Sequence, residues 1–308
     1  MTKEAIEQTF HVHAPAQLSL ANISGSVEIT PGETDMITVK AFKNLEEGDS
    51  KRSEVEMTQA EDGSVSIKTH YRPESWLSFL HWEACDVEYK VSVPTTCKLN
   101  VSGVSNTLLI QDIEGEMRLS TVSGDVALKD LRGKIELKAV SGNITGERLN
   151  GAVCVNIVSG DTHFSASNFS SLEVKTISGD CEAETMLGPG PYSFDAISGD
   201  VRLILPGESR FIVHNSSLSG DLKSFLPVDP TTRQESGPAI KHHSISGDLH
   251  IDSSQTTLGL PFNPVTPVLE PETYATDTRA GVLDRLARGE ISVDQALQLL
   301  NNVSVLSR

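Results

Sequence analysis

The sequence predicts an all-β fold: a parallel β-solenoid of about eight coils of 18–21 residues, preceded by an irregular β region and followed by a short C-terminal α-helical hairpin. Three observations carry this. An apolar-Ser-Gly motif recurs at Gly103, Gly124, Gly142, Gly160, Gly179, Gly199, Gly220 and Gly247, with an early copy at Gly25. A second series, Gly115, Gly133 and Gly151, falls midway between the first copies. Finally, stepping back five and three positions from the apolar residue before each Ser-Gly finds Met117 and Leu119, Ile135 and Leu137, Val153 and Val155, Leu172 and Val174, and Tyr192 and Phe194. The residues between these are mostly polar, which is the period of two of a strand with one buried face.

Each element follows from these observations. A strand-turn-strand-turn unit of this size cannot bury its apolar face alone, so the copies must stack. Glycine then recurs because such tight corners need positive φ. Residues 1–100 carry strand-like runs such as ITVKAF, SVSIKTH and VEYKVSV but one isolated Ser-Gly, and read as an N-terminal β region with hairpin insertions. Residues 101–251 hold the regular coils, whose apolar columns decay late, at Asn215 and His242. Residues 252–278 form a Pro-rich linker. In residues 279–308, Leu283 and Leu286 share one helical face, Gly289 ends that helix, Ser292 and Gln295 form a capping box, and Leu297 and Leu300 mark a second face.

Composition narrows the function. A formal charge of −17 opposes nucleic acid and anionic lipid. The opening MTKEAIEQTF lacks a signal-like apolar core, and no run approaches the ~20 apolar residues of a membrane span, so a cytoplasmic protein is expected. Cys85, Cys97, Cys154 and Cys181 show no metal-ligand or disulfide spacing and read as free thiols, with Cys154 outward and the most reactive. The histidine pairs His11/His13 and His242/His243 lack further ligands. No metal or other cofactor is predicted.

The repeated Ser-Gly-Asp reads as turn chemistry. Seven equivalent serines with no repeated base do not make a nucleophile, and no catalytic residue is assigned. Asp125, Asn143, Asp161, Asp180, Asp200, Asp221 and Asp248 should stack in one column, where carboxylates ~5 Å apart repel by ~1–3 kcal/mol. Either a cation or hydrogen bonds from turn amides must relieve this; the second is favoured, since Asn143 is tolerated there. An aromatic stretch with Trp76, Leu77, Phe79, Leu80 and Trp82 reads first as cover for a flank and second as a protein or membrane contact.

The order NISGSVEIT, VEYKVSVP, then VSGDV and VSGNI, over roughly residues 9 to 251, resembles the bacterial β-strand-repeat family known as putative adhesins, a domain of unknown function. That resemblance implies a β-solenoid and a non-enzymatic role. The residues Gly289, Ile291, Ser292, Ala296 and Leu297 resemble the core of SHOCT-like short C-terminal domains, which implies oligomerisation or docking. Together they suggest a bacterial scaffold or interaction protein in envelope stress or adhesion, meeting a protein partner, a membrane-associated one included, or itself through the hairpin at Leu283, Leu286, Leu297 and Leu300. The alternatives are a carbohydrate-binding or carbohydrate-acting β-helix and a filament former. Arg118, Glu136, Lys138, Glu173 and Lys175 spread charge over the outward face instead of converging on a site.

Overall fold

The computed structural model describes residues 2–45, 53–71, 86–226 and 238–254. These lie in one compact unit, Met1–Leu258; a second unit, Gly259–Arg308, falls outside the described residues. All 20 described strands belong to one sheet. No helix of the described residues is long and apolar enough to cross a membrane.

The central coils carry the logic. Strands β8 (Glu114–Ser123), β10 (Arg132–Ser141) and β12 (Asn150–Ser159) stack in parallel, with Ser123 beside Ser141 and Ser141 beside Ser159. A second wall is made by β9 (Val126–Lys129), β11 (Ile144–Glu147) and the first part of β13 (Thr162–Ser178), also parallel. The chain alternates between walls, and apolar side chains from both meet inside. Met117, Leu119, Ile135 and Leu137 face Val126, Leu128 and Ile144, all at most 3% exposed. Each such burial contributes about 1.5–3 kcal/mol. Phe164 and Phe169 add an edge-to-face pair at 5.4 Å.

Glycine is obligatory at the corner for two reasons that Gly142 illustrates. Its φ is +119°, and a Cβ there would lie 2.3 Å from the carbonyl oxygen of Gly124 in the coil below. Gly103 is a correction to the predicted corner column. It pairs with Thr121, and the place beneath Gly124 belongs to Asn106, whose carbonyl oxygen would meet a Gly124 Cβ at 2.0 Å.

The predicted architecture needs three further corrections. Residues 1–100 are not an irregular preamble. β2 (Ala16–Pro31) pairs in parallel with β7 (Cys97–Gln111) from Ala16 to Ile29 and is itself a full coil. Below it, β5 (Val65–Tyr71) and β6 (Val87–Val93) continue the two walls in parallel. Antiparallel strands then end the sheet: β4 (Ser53–Gln59) on β5, and β3 (Met36–Leu45) on β6 with β1 (Thr2–His11) outermost. The architecture is therefore solenoid-like with an antiparallel end, not parallel throughout.

Second, the upper coils do not follow chain order. After β14 (Cys181–Leu187), β15 (Tyr192–Ser198) and β16 (Val201–Pro206) come β17 (Ile212–Ser219) and β18 (Leu222–Ser224). Yet β19 (Ala239–Ser246) lies between β15 and β17, and β20 (Leu249–Ser254) between β16 and β18. The last coil in space precedes the penultimate one in sequence. This explains the late decay of the apolar columns: one inward column runs Phe194, His242, Asn215, and its neighbour Ala196, Ser244, Ser217. His242 Nδ1 meets Asn215 Oδ1 at 2.8 Å, and Ser244 donates to Ser217 at 2.8 Å. Polar residues at the end of a stack are what a terminal repeat facing water requires.

Third, the described residues are all-β, and no α-helix occurs among them. The predicted hairpin with Leu283, Leu286, Leu297 and Leu300 lies outside them, as does the stretch holding Trp76, Leu77, Phe79, Leu80 and Trp82.

Candidate interaction surface

The corner column of acidic residues is held by a hydrogen-bond ladder. Asp125 Oδ1 accepts from the backbone N–H of Asn143 at 2.9 Å, Asn143 Oδ1 from Asp161 at 3.1 Å, and Asp161 Oδ1 from Asp180 at 2.9 Å. Asp180 accepts from Asp200, Asp200 from Asp248, and Asp248 from Asp221, each at 2.8 Å. Every member of the column but the terminal Asp221 thus takes an amide from its equivalent one coil further on. The amide dipole offsets the repulsion between stacked charges. The bond from the Asp221 amide is also the largest cause holding the Asp248 carboxyl below its ordinary range. The order of the last two links follows the spatial order of the coils, not the chain. Among the described residues no group of three or more His, Cys, Asp or Glu is arranged to hold a metal ion.

A second ladder runs over the outward face. Lys98 meets Glu116 at 3.0 Å, Glu116 meets Arg118 at 2.5 Å, Arg118 meets Glu136 at 3.8 Å and Glu136 meets Lys138 at 2.8 Å. Lys175 pairs with Glu173 at 2.6 Å. Arg118 and Glu136 therefore pair between rungs, while Glu136 with Lys138 and Glu173 with Lys175 pair within a strand. Exposed pairs of this kind contribute only about 0–1 kcal/mol each. At the opposite corner, Arg148 grips Asp130 through two bonds of 2.6 Å, the largest cause lowering the Asp130 carboxyl.

The three described thiols are not activated. Burial pushes Cys97 and Cys181 up to about 12. Cys154 is half-buried, and desolvation, followed by the Glu173 carboxylate, raises it too. Its outward position does not supply the electropositive setting that a reactive thiol needs.

The most extended surface feature is apolar. Val104, Val122, Val140, Val158, Ile177, Ile197 and Ile245, each one residue before the Ser of a corner, are between 41% and 54% exposed. The register stacks them directly, since Ser105, Ser123, Ser141, Ser159, Ser178, Ser198 and Ser246 pair in turn. They form a crest one side chain wide and about 30 Å long. Leu218 ends it at 85% exposure. Lys138 and Lys175 border the crest on its strand side and, with Val158 and Ile177, line a shallow groove of about 320 Å³. The Asp column borders the other side. Further up, a recess of about 490 Å³ is lined by Asp180, Asp200, Arg202, His250, Asp252 and Phe225, whose ring is 80% exposed. Of the corner glycines, Gly124, Gly142, Gly160, Gly179, Gly199 and Gly247 share positive φ, while Gly220 sits in the last coil above Gly247.

Stacked coils with hydrogen-bonded corners and long, repeated outer faces define a β-solenoid-like repeat protein. The chain belongs to the Toastrack DUF4097 family, whose model matches residues 16–256. No curated protein matches it. Among solved structures it is similar to a "putative lipid binding protein" from Parabacteroides distasonis ATCC 8503, with TM-score 0.52 and 15% identity over 82% of this chain and 97% of that one. It is also similar to a "putative adhesin" from Bacteroides fragilis NCTC 9343, with TM-score 0.45 and 11% identity over 82% and 97%. At such identities the likeness to the first is one of fold.

Proposed function

We propose that this protein is a non-catalytic scaffold that presents the long outer face of its stack to a protein partner. One observation carries the reading: the repeated polar groups are committed to the stack itself. The carboxylates of the corner column accept amides from the next coil, and seven charged residues of the central outward face, Lys98, Glu116, Arg118, Glu136, Lys138, Glu173 and Lys175, are tied in ion pairs. Catalysis calls for the reverse, a few unique groups converging with pKa values tuned toward reaction. The family is one of unknown function, and the solved neighbours are described as adhesin and binding proteins.

The test pairs two readouts on the full chain. Photo-crosslinkers placed at Lys138 and Lys175 in cells should capture a discrete protein, and should lose it when a neighbouring crest valine is replaced by lysine. Turnover of a polysaccharide or other substrate by the purified protein, abolished by an outward-face substitution, would refute the reading.

A second reading has one feature in its favour. The recess beneath Phe225 sets an exposed ring beside Asp180, Asp200, Arg202 and His250, the mixture of apolar plate and planar polar groups that suits a sugar. Calorimetric titration with oligosaccharides, repeated on Phe225→Ala, decides it.

A further inference from the structure

We propose that the apolar crest is a self-association surface, on which two copies of this chain pack side by side in parallel. This deepens the scaffold reading by naming a partner for its outer face.

The argument starts from area. A fully exposed Val or Ile side chain offers ~60–120 Å² of apolar surface, so seven at about half exposure present roughly 200–400 Å². A contiguous apolar patch of a few hundred Å² is comparable to the largest on a typical soluble monomer, and such patches are often functional. With the serine column and the Lys138–Lys175 flank included, it approaches the ~800 Å² per partner of a stable interface.

The repeat then selects the occupant. Crest residues recur at every sheet spacing, ~4.8 Å. An α-helix presents side chains every ~5.4 Å and slips by half a repeat within about four turns. A single strand laid along the crest presents same-face side chains every ~6.7 Å. A lipid surface meets the column of stacked aspartates and a net charge of −17, which repel anionic headgroups. Another stack with the same spacing matches every rung, so each crest side chain can pack beside its equivalent along the whole row, as identical rows of β-branched side chains do in dry sheet interfaces. A second copy of this chain supplies such a stack.

Charge then selects the direction. Across the crest the order is a mixed column of Ser120, Lys138, Asn156, Lys175, Asp195 and His243, then the apolar row, then serine, then the Asp column, so the lysine side carries one carboxylate where the far side carries one on almost every rung. A two-fold axis lying across the stack would place the Asp column of one copy against that of the other. An axis running along the stack instead sets each Asp column against the lysine flank of the second copy. Lys175 then faces the rung of Asp180, and Lys138 lies between the rungs of Asp125 and Asp161. Both lysine side chains are more than half exposed, and in the dimer each would turn from its own-strand partner, Glu136 or Glu173, toward the facing Asp column. The parallel arrangement also closes as a dimer, because each crest is used once.

Sedimentation equilibrium on the full chain tests the proposal. The wild type should be a dimer, and Val140→Lys/Val158→Lys, at two exposed positions, should weaken association on the order of 100-fold, since it buries unpaired like charges. Circular dichroism and the urea midpoint at high dilution show that the variant is folded. Direction is read with a short bismaleimide in a Cys85→Ser/Cys154→Ser background, the remaining Cys97 and Cys181 being buried. Val122→Cys should cross-link to itself, as should Ile197→Cys. A monomeric wild type, a dimer indifferent to the lysine pair, or cross-links between Val122→Cys and Ile197→Cys in a mixture would each overturn the proposal. A monomer would leave the non-catalytic reading standing, whereas the discovery of turnover would remove that reading and leave these masses unchanged.

Discussion

Replacing Gly142 with alanine isolates the force that makes the repeat recur. Two costs add. The corner holds φ at +119°, where L side chains are strained by about 1–3 kcal/mol. The new Cβ would also sit 2.3 Å from the Gly124 oxygen and 2.7 Å from its carbonyl carbon. Both are backbone atoms of the coil below, so the coils must part locally. Parting weakens two bonds that flank the corner, Asn143 N–H to Asp125 Oδ1 and Val126 N–H to Asn143 O, both 2.9 Å. At ~0.5–1.5 kcal/mol apiece, the expected total is about 2–6 kcal/mol, or a fall in melting temperature of roughly 5–20 °C. The control is Gly63→Ala. Gly63 has φ +82° but nothing within 4 Å of a Cβ, so only the ~1–2 kcal/mol of left-handed strain applies. Thermal and urea unfolding followed by circular dichroism compare the two. If Gly142→Ala costs no more than Gly63→Ala, the close approach of stacked corners is not what demands glycine.

Three further outcomes follow from the ladders. Asp161→Asn should leave stability nearly unchanged, because an amide oxygen can still accept from Asp180, whereas Asp161→Ala should cost about 0.5–1.5 kcal/mol by urea titration. Chelating divalent ions should leave the melting temperature unmoved, since amides already neutralise the Asp column; a loss restored by calcium would reverse that account. Burial holds the His242 imidazole below its ordinary range, so the unfolded chain binds the proton first. Stability from this group is then full above about pH 6.5 and falls as the pH drops from there toward the folded value. His242→Phe should flatten that part of the profile in pH-dependent unfolding, and an unchanged slope would show that the histidine is not its source.

Much of this was legible in the residues. The period of two placed Met117, Leu119, Ile135, Leu137, Val153 and Val155 inside, and all are at most 3% exposed. The same count, carried three positions further, leads to Val122 and Val140 on the outward face, but in the sequence these residues serve only to mark the motif, and their exposure is not read from it. Gly103 misled because it shares the Ser-Gly pattern, while the true corner residue, Asn106, does not look like one. It is buried and donates to the Asn22 carbonyl. Nor does local pattern encode the exchange of the last two coils. Asn215 and His242 showed only that the columns turn polar, and which coil lies outermost depends on pairing across the excursion after Pro206. In residues 1–100, alternation reveals strands but not whether neighbours run parallel or antiparallel, since both leave one face buried.

The exchanged coils bear on how the chain acquires its structure. Through β16 each coil can dock on one already formed, so growth can keep pace with synthesis from the N-terminus. At Ile212 that rule fails. Strands β17 and β18 have no pairing with β15 or β16, and their support, β19 and β20, emerges later. Residues 212–254 therefore join as one cooperative step, after the segment through Ser254 has been made. A ribosome-bound chain halted near Ser224 should protect its amides only up to the β16 coil. The finished protein in turn has no free chain end in its outermost coil: β17 and β18 are joined to β16 on one side and to β19 on the other, so that coil can leave the stack only as a loop, with β19 and β20 still paired to β15 and β16.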